Sequence, residues 1–342
     1  MKLVIQLPCF NEAETLAETL LALPRRIAGV DEIEFLVIDD GSHDGTSEVA
    51  RLWGVHHIVR HRKNRGLAAA YQTGIDAAIK AGADIIVNTD ADNQYDGRDI
   101  PALVAPILEG QADIVIGDRQ VRTNRHFGRG KQLLQVLGSM VVQRLSHTDA
   151  TDAVSGFRAM SRAAAQRIFI TSRFSYTTEM LIQAGGKGMA VVSVPVRTNA
   201  TLRPSRLFRN VPQFIMNTGA TMARAWAMYN PLRLFVIAGA IATLAGLAPI
   251  IRFLYFYVIG EGSGHVQSLV LGGVLLMVGL VAVMFGIVAD LIGRNRQLLE
   301  TTLERVRRME ADLSADRDRG ADSKPTASAA PAIVPDALKR IA

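Results

Sequence analysis

In the first half of the chain, apolar residues come in short blocks at 3–7, 34–38, 84–88 and 113–116, dominated by Val, Ile and Leu. Blocks of this length with little polar alternation predict strands covered on both faces. Segments 12–23, 46–52, 67–81 and 100–108 lie between them and carry helical patterning. The alternation predicts an α/β unit with a mostly parallel, Rossmann-like sheet over residues 1–207. Pro8 ends the first block, leaving it too short for the apolar core of a signal peptide.

The pattern then changes. Residues 234–251 form 18 positions without a charge, and 268–289 form 22. At 1.5 Å per residue each can cross about 30 Å of hydrocarbon; the competing reading is a pair of buried core helices. Pro249 is expected to kink the first span, and Arg252 can snorkel beside Phe253, Tyr255, Phe256 and Tyr257. The connection at 260–267 has no Lys or Arg, whereas Arg224 and Arg233 precede the pair and Arg294 and Arg296 follow it. The positive-inside rule puts both chain ends in the cytoplasm. Residues 208–230 mix apolar residues with Arg209, Pro212 and Arg224, as expected of amphipathic helices lying in the interface. Residues 231–293 form the two-span hairpin. Beyond it, 294–313 carry an apolar stripe (Leu299, Leu303, Val306, Leu313) within dense charge, either a solvated helical extension or a weak self-association seam. From 314 to 342 the Ala, Asp, Ser and Pro content predicts a disordered tail.

Composition narrows the classes. Of 342 residues, 49% are apolar and 20% charged, too apolar for a disordered chain and too polar for a multi-span transporter. The net charge of +6 is concentrated at 197–233 and 294–308, flanking the apolar region, which points to membrane lipid rather than nucleic acid. Aromatic residues are only 6% and cluster in the apolar region, so base stacking has little to work with. One cysteine, Cys9, excludes a disulfide framework and a Cys-based zinc site, and fits a reducing compartment.

The acidic residues of the α/β unit gather at strand ends. Asp39 and Asp40 follow the second strand, and Asp90 and Asp92 follow a later one. The carboxyl ends of parallel strands line the ligand crevice, and an Asp-x-Asp pair there suits a hard divalent cation, although an isolated pair also occurs in solvated turns. Asn11 and Glu12 can cap the first helix. Neither a Gly-x-Gly-x-x-Gly nor a P-loop sequence is present.

Taken together, Pro8-x-Phe10-Asn11-Glu12, Asp39-Asp40-Gly41-Ser42-x-Asp44-x-Thr46, Asn64-x-Gly66, Asp90-Ala91-Asp92 and Asp152-x-x-Ser155-Gly156-Phe157-Arg158 resemble the motif set of the family 2 inverting glycosyltransferases. The later motif is similar to the polyprenyl-phosphate branch, which includes dolichyl-phosphate mannose synthases and undecaprenyl-phosphate sugar transferases. The resemblance covers about residues 1–210 and implies a GT-A (nucleotide-diphospho-sugar transferase) fold. It implies a nucleotide sugar donor, with a uridine diphosphate favoured over a guanosine one, and a polyprenyl phosphate acceptor. It also implies Mg²⁺ or Mn²⁺, and a homo-oligomer, by analogy a tetramer.

The same resemblance assigns residues. Pro8, Asn11, Glu12, Asp39 and Asp40 would contact the nucleoside. Asp90, Asp92 and Gln94 would hold the metal and face the diphosphate. Arg119 would hold the acceptor phosphate with Ser139, and since Gln135 stands where the family has a second arginine, Lys131 or Arg129 would substitute for it. Arg203, Ser205 and Arg206 resemble a segment that approaches the diphosphate; a purely interfacial role fits these basic residues too. Asp152 and Glu179 are candidates for a general base or for positioning. A lipid monophosphate is already anionic at neutral pH and needs orienting more than deprotonation, so direct in-line attack with inversion is expected. Two other readings stand beside this one: transfer to a lipid or polysaccharide hydroxyl, and a membrane scaffold that has lost catalysis. The processive Gln-x-x-Arg-Trp signature is absent; Arg224-Ala225-Trp226 lacks its Gln.

Overall fold

The structure is a computed structural model that describes residues 1–120, 138–144, 146, 148–170, 176–199, 227, 230–260 and 262–322. The first half contains β1 (Lys2–Cys9), α1 (Ala13–Ala22), β2 (Glu32–Asp39), α2 (Thr46–Leu52), β3 (His57–Arg60), α3 (Leu67–Lys80), β4 (Ile85–Asn88), α4 (Ile100–Leu108) and β5 (Ile114–Asp118). After the segment around 138–146 come β6 (Arg158–Ser161), α5 (Arg162–Arg167), α6 (Tyr176–Gly186) and β7 (Val191–Pro195). The long helices α7 (Pro231–Ile259) and α8 (Val266–Asp322) follow.

Seven strands form one sheet in the order β3-β2-β1-β4-β6-β5-β7. All neighbours are parallel except β6, which runs antiparallel to β4 and β5. The unbroken apolar blocks follow from burial on both faces. Val4, Leu36 and Ile38 face one core with Tyr71, Ile75 and Met180. Leu3, Ile5, Leu7, Phe35 and Val37 face the other, with Leu16, Leu20, Ile100 and Leu103. β1 runs through Pro8 to Cys9. Its pairing with β4 stops at Gln6↔Asn88, so Pro8 sits where only β2 remains alongside and its missing N–H breaks no second ladder.

The reversed strand sets the geometry of the site. Arg158 pairs with Asn88 and Ile116, at the carboxyl edge of β4 and β5. Residues 152–157 therefore enter the sheet at the same edge where β1, β2, β4 and β5 end.

Pro231–Ile259 and Ser263–Gly293 reach mean hydropathies of 2.3 and 2.6 over their most apolar stretches and are long and apolar enough to cross a membrane. Only 11% and 17% of their most apolar windows is buried, unlike the core helices that the competing reading requires. They pack on each other through glycine: a Cβ at Gly239 would lie 2.7 Å from the Gly279 carbonyl oxygen, and one at Gly246 2.8 Å from that of Gly272. Close backbone approach of this kind is how apolar helices associate where the hydrophobic effect between them is weak. Pro249 lies inside α7. α8 continues to Asp322, past position 314 where the composition predicts disorder to begin. The first helix breaker there is Gly320 and the first proline is Pro325, so Ala, Asp and Arg carry the helix on. Of the segment expected to be amphipathic, 208–230, only residues 227 and 230 are among those described.

Candidate active site

Two turns at the ends of β1 and β2 are laced together. The Asn11 N–H donates to the Ser42 hydroxyl (3.0 Å), the His43 N–H to the Asn11 side-chain oxygen (2.9 Å), and the Glu12 N–H to the Thr46 hydroxyl (3.0 Å). Helix α1 is capped from the opposite turn: the Ala13 N–H donates to Asp44 (3.0 Å). This corrects the expectation that Asn11 or Glu12 supplies the cap. The Glu12 carboxylate accepts from Thr15 instead (2.9 Å), and Asn11, at φ 54°, holds the turn in a left-handed conformation. Pro8, buried in β1, brings the chain to this point.

Asp39 and Asp40, adjacent in sequence, do different things. Asp39 accepts from the Ser42 N–H (2.7 Å) and the Ser47 hydroxyl, with the Arg60 guanidinium 3.4 Å away. Burial pushes its carboxyl up, but the Ser42 and Ser47 donors and Arg60 outweigh that and hold it below the usual carboxylate range. Asp40 clamps the next loop. It accepts from His61 Nδ1 (2.6 Å), the Arg65 N–H (2.8 Å) and the Gly66 N–H (2.8 Å). His61 Nε2 in turn meets the Thr73 hydroxyl at 3.0 Å. Gly41 lets these loops meet: at φ +77°, its Cβ would stand 2.6 Å from the Lys63 carbonyl carbon.

Across the sheet edge lies the Asp-x-Asp turn. The Gln94 N–H donates to Asp92 (3.1 Å), and Asn93, at φ 56°, donates through its amide to Glu18 (3.0 Å). The turn is tied to the chain leaving β7, with Asn199 donating through its N–H to the Gln94 carbonyl (2.8 Å) and through its amide to the Asn93 carbonyl (2.9 Å). Asp90 lies beside Gly156 and accepts no hydrogen bond from any described residue. Burial, reinforced by the Asp92 and Glu12 charges, pushes its carboxyl up to about 7 against the opposing pull of Arg119. Among the described residues no group of three or more His, Cys, Asp or Glu side chains is placed to hold a metal. The donor set remains two carboxylates and the Gln94 amide. An acid without donors beside a second acid is a place where a divalent cation relieves repulsion, so these residues fit such an ion.

At the end of β5, Arg119 and Asp152 form a buried fork: Nε–H donates to Oδ2 (2.7 Å) and Nη2–H to Oδ1 (2.9 Å). The Arg119 N–H also points at Oδ2 (3.3 Å). Burial works against both charges, yet each is held ionised by the other: the arginine is shifted up and the carboxyl down. A carboxylate so held is a poor proton acceptor, so Asp152 fits positioning rather than general-base work. Ser139 is buried and accepts from the Ala153 N–H (3.3 Å), steadying the segment that carries Asp152. Glu179 is buried on α6 and accepts from the Gln183 amide (3.3 Å). Arg129, Lys131, Arg203, Ser205 and Arg206 lie outside the described residues.

Arg158 has no assigned role in the sequence reading and turns out to organise this region. It is fully buried in β6 and donates to the carbonyls of Ser155 (2.7 Å), Thr177 (2.8 Å) and Ala153 (2.7 Å). Asn88 donates to the Gly156 carbonyl (2.8 Å), while the Gly156 N–H donates to Tyr95 (3.1 Å). The signals for Arg158 in sequence were its place at the end of the Asp152-x-x-Ser155-Gly156-Phe157-Arg158 motif and an otherwise small and apolar setting.

Residues 4–169 match the family model "Glycosyl transferase family 2". Glycosyltransferase AglJ of Haloferax volcanii is 30% identical over 283 residues, an alignment covering 80% of this chain and 88% of that protein. The chain belongs to glycosyl transferase family 2. A dolichol-phosphate mannosyltransferase of Pyrococcus furiosus is 31% identical over 204 residues, covering 57% of this chain and 56% of that one. A crystal structure of glucosyl-3-phosphoglycerate synthase from Mycobacterium tuberculosis in complex with phosphoglyceric acid superposes with a TM-score of 0.50 at 21% identity, over 67% of this chain and 79% of that one. That likeness is one of fold, and it confirms the GT-A architecture.

Proposed function

We propose that this glycosyltransferase moves a sugar from a nucleoside diphosphate, a uridine diphosphate favoured, to polyprenyl phosphate at the cytoplasmic face of a membrane, with inversion at the anomeric carbon. The observation that carries the reading is one edge of one sheet holding both an Asp-x-Asp turn and a buried, fork-bonded arginine, in a chain with two long apolar helices. The named activities of the Pyrococcus furiosus relative and of an undecaprenyl-phosphate mannosyltransferase from Micrococcus luteus, 26% identical over 206 residues, support the acceptor class.

In this reading residues 1–207 perform the chemistry, 208–230 lie in the interface and 231–293 anchor the chain. Asp39 is kept ionised by Ser42, Ser47 and Arg60 and offers its carboxylate to an N–H of the base. Pro8, Asn11 and Glu12 wall the nucleoside, and Asp40 fixes the 61–66 loop beside it. Asp90, Asp92 and Gln94 would hold Mg²⁺ or Mn²⁺. Such an ion supplies Lewis-acid stabilisation to the departing diphosphate. Arg119, oriented by Asp152, presents its guanidinium to the acceptor phosphate, whose geometry suits a planar donor fork. One acceptor oxygen bonds to the anomeric carbon as the bond to the diphosphate oxygen breaks, and no proton need be removed. The depressed carboxyl of Asp152 favours an anionic acceptor over a hydroxyl, which would need a base.

The test supplies membranes carrying the chain with radiolabelled nucleotide sugars, Mn²⁺ and either undecaprenyl phosphate or undecaprenol. Label is expected in the lipid phase with the phosphate only, in β linkage from an α-linked donor, and Asp92→Ala should abolish it with the circular dichroism unchanged. Equal labelling of the free alcohol, or a retained configuration, would overturn the proposal.

A further inference from the structure

From the last turn of the second apolar span onward the backbone of α8 carries a second pattern. Ile292, Asn295, Leu299, Thr302, Val306, Met309 and Leu313 recur at alternating intervals of three and four, the a and d positions of a heptad. This register differs from the stripe read from sequence alone, which included Leu303. Ile292 is 64% exposed, Leu299 71% and Met309 56%, although α8 also packs against α5 and α3. The glycines that meet α7, Gly272, Gly279 and Gly286, all fall at position b of the same heptad count. Within one heptad that face is about 130° around the helix from the a/d seam, and the drift of about 20° per heptad between the glycines and the seam brings it nearer the opposite side. The α7 contact therefore falls on another face, and the described apolar seam residues Ile292, Leu299, Val306 and Met309 are exposed.

We propose that this seam is a parallel coiled coil with a second copy of the chain. The inference rests on the membrane reading above: two copies inserted in one bilayer the same way round present their α8 extensions in parallel. In a parallel, in-register pair, position g of one helix meets position e of the next heptad on the other. Arg305 then faces Glu310, Asp312 faces Arg317, and Leu298 faces Leu303. Both charged pairings are attractive, and each occurs twice by symmetry. The register slipped by one heptad meets none of these pairs. Ile292 and Val306 at a favour two strands, and the polar Asn295 and Thr302 at d fix the alignment at some cost in stability.

Cys9 is the chain's one cysteine and is buried, so single-cysteine variants report on the seam. In native membranes, Thr302→Cys at position d should give a disulfide-linked dimer on mild oxidation, and Thr301→Cys at position c should not. Arg305→Glu in the Thr302→Cys background should reduce the linked product about fivefold, because the two symmetry-related 305–310 pairs turn repulsive. Adding Glu310→Arg should restore it. Equal linkage at 301 and 302, or no rescue by the charge exchange, would overturn the coiled coil. Carbonate extraction of the same membranes checks the anchor separately: a chain that is washed off refutes the membrane reading, whereas one that stays but fails to link refutes only the seam.

Discussion

Arg119 and Asp152 stand 33 positions apart in sequence and meet as a two-bond fork at the carboxyl edge of the sheet, neither more than 7% exposed. The pair joins the last residues of β5 to the segment entering β6, so each charge is held in place by the other. Removing one partner leaves an uncompensated buried charge. Asp152→Asn is expected to cost about 3 kcal/mol, read as a lower melting temperature in detergent, and to raise the KM for polyprenyl phosphate more than that for the nucleotide sugar. Because the folded-state carboxyl is depressed, its contribution is fully present above the unfolded value near 4 and fades as pH falls through the lower folded one. The wild type should therefore lose this increment only in strong acid, and the variant should show no such step.

The Asp90 carboxyl runs the other way. Its value of about 7 lies above that of the unfolded chain, so the metal-free protein binds a proton there that the unfolded chain lacks. Stability of the metal-free form should fall as pH rises towards 7, and Asp90→Asn should flatten that slope. A cation must displace the proton, so Mn²⁺ affinity should climb up to about tenfold per pH unit below 7 and level off above it. Calorimetric titration at pH 6, 7 and 8 measures this; an affinity flat across that range contradicts the assignment.

Arg158 holds three carbonyls of two different segments. Arg158→Met should destabilise by about 3 kcal/mol or more, since buried acceptors lose charged donors. Arg158→Lys, with a single ammonium, should recover only part of that. Both should lower transfer by loosening the segment that carries Asp152. Paired unfolding and activity measurements test this: full activity with reduced stability would assign Arg158 a packing role alone.

At Gly41 a side chain is excluded twice, by φ +77° and by the Lys63–Asn64 backbone. Gly41→Ala should cost about 1–3 kcal/mol and, by pushing the 61–66 loop off Asp40, weaken nucleotide binding. Equilibrium binding of the nucleoside diphosphate is the measurement; unchanged affinity would separate that loop from the donor site.

The parts of this arrangement legible in sequence are those where a buried strand ends in acid. Blocks such as 34–38 followed by Asp39, or 84–88 followed by Asp90, announce both the element and the edge it reaches. β3, β6 and β7 carry no such mark. His57–Arg60 is only half-buried, and Arg158–Ser161 becomes an interior strand by insertion between β4 and β5, which no local periodicity records. Partnerships were equally hidden. Asp44 reaches 31 positions back to cap α1, and Asp40, adjacent to Asp39 and of the same type, spends its oxygens on a loop. Such roles depend on which turns face each other, a property of the assembled sheet.

The reversed β6 has a practical corollary. The stretch from Arg119 to Phe157 leaves the sheet from β5 and rejoins it at β6 on one rim, both feet planted beside the reacting groups. Exchanging that stretch between family members is a graft with two neighbouring anchors on the sheet edge, a direct route for redirecting which lipid this scaffold serves.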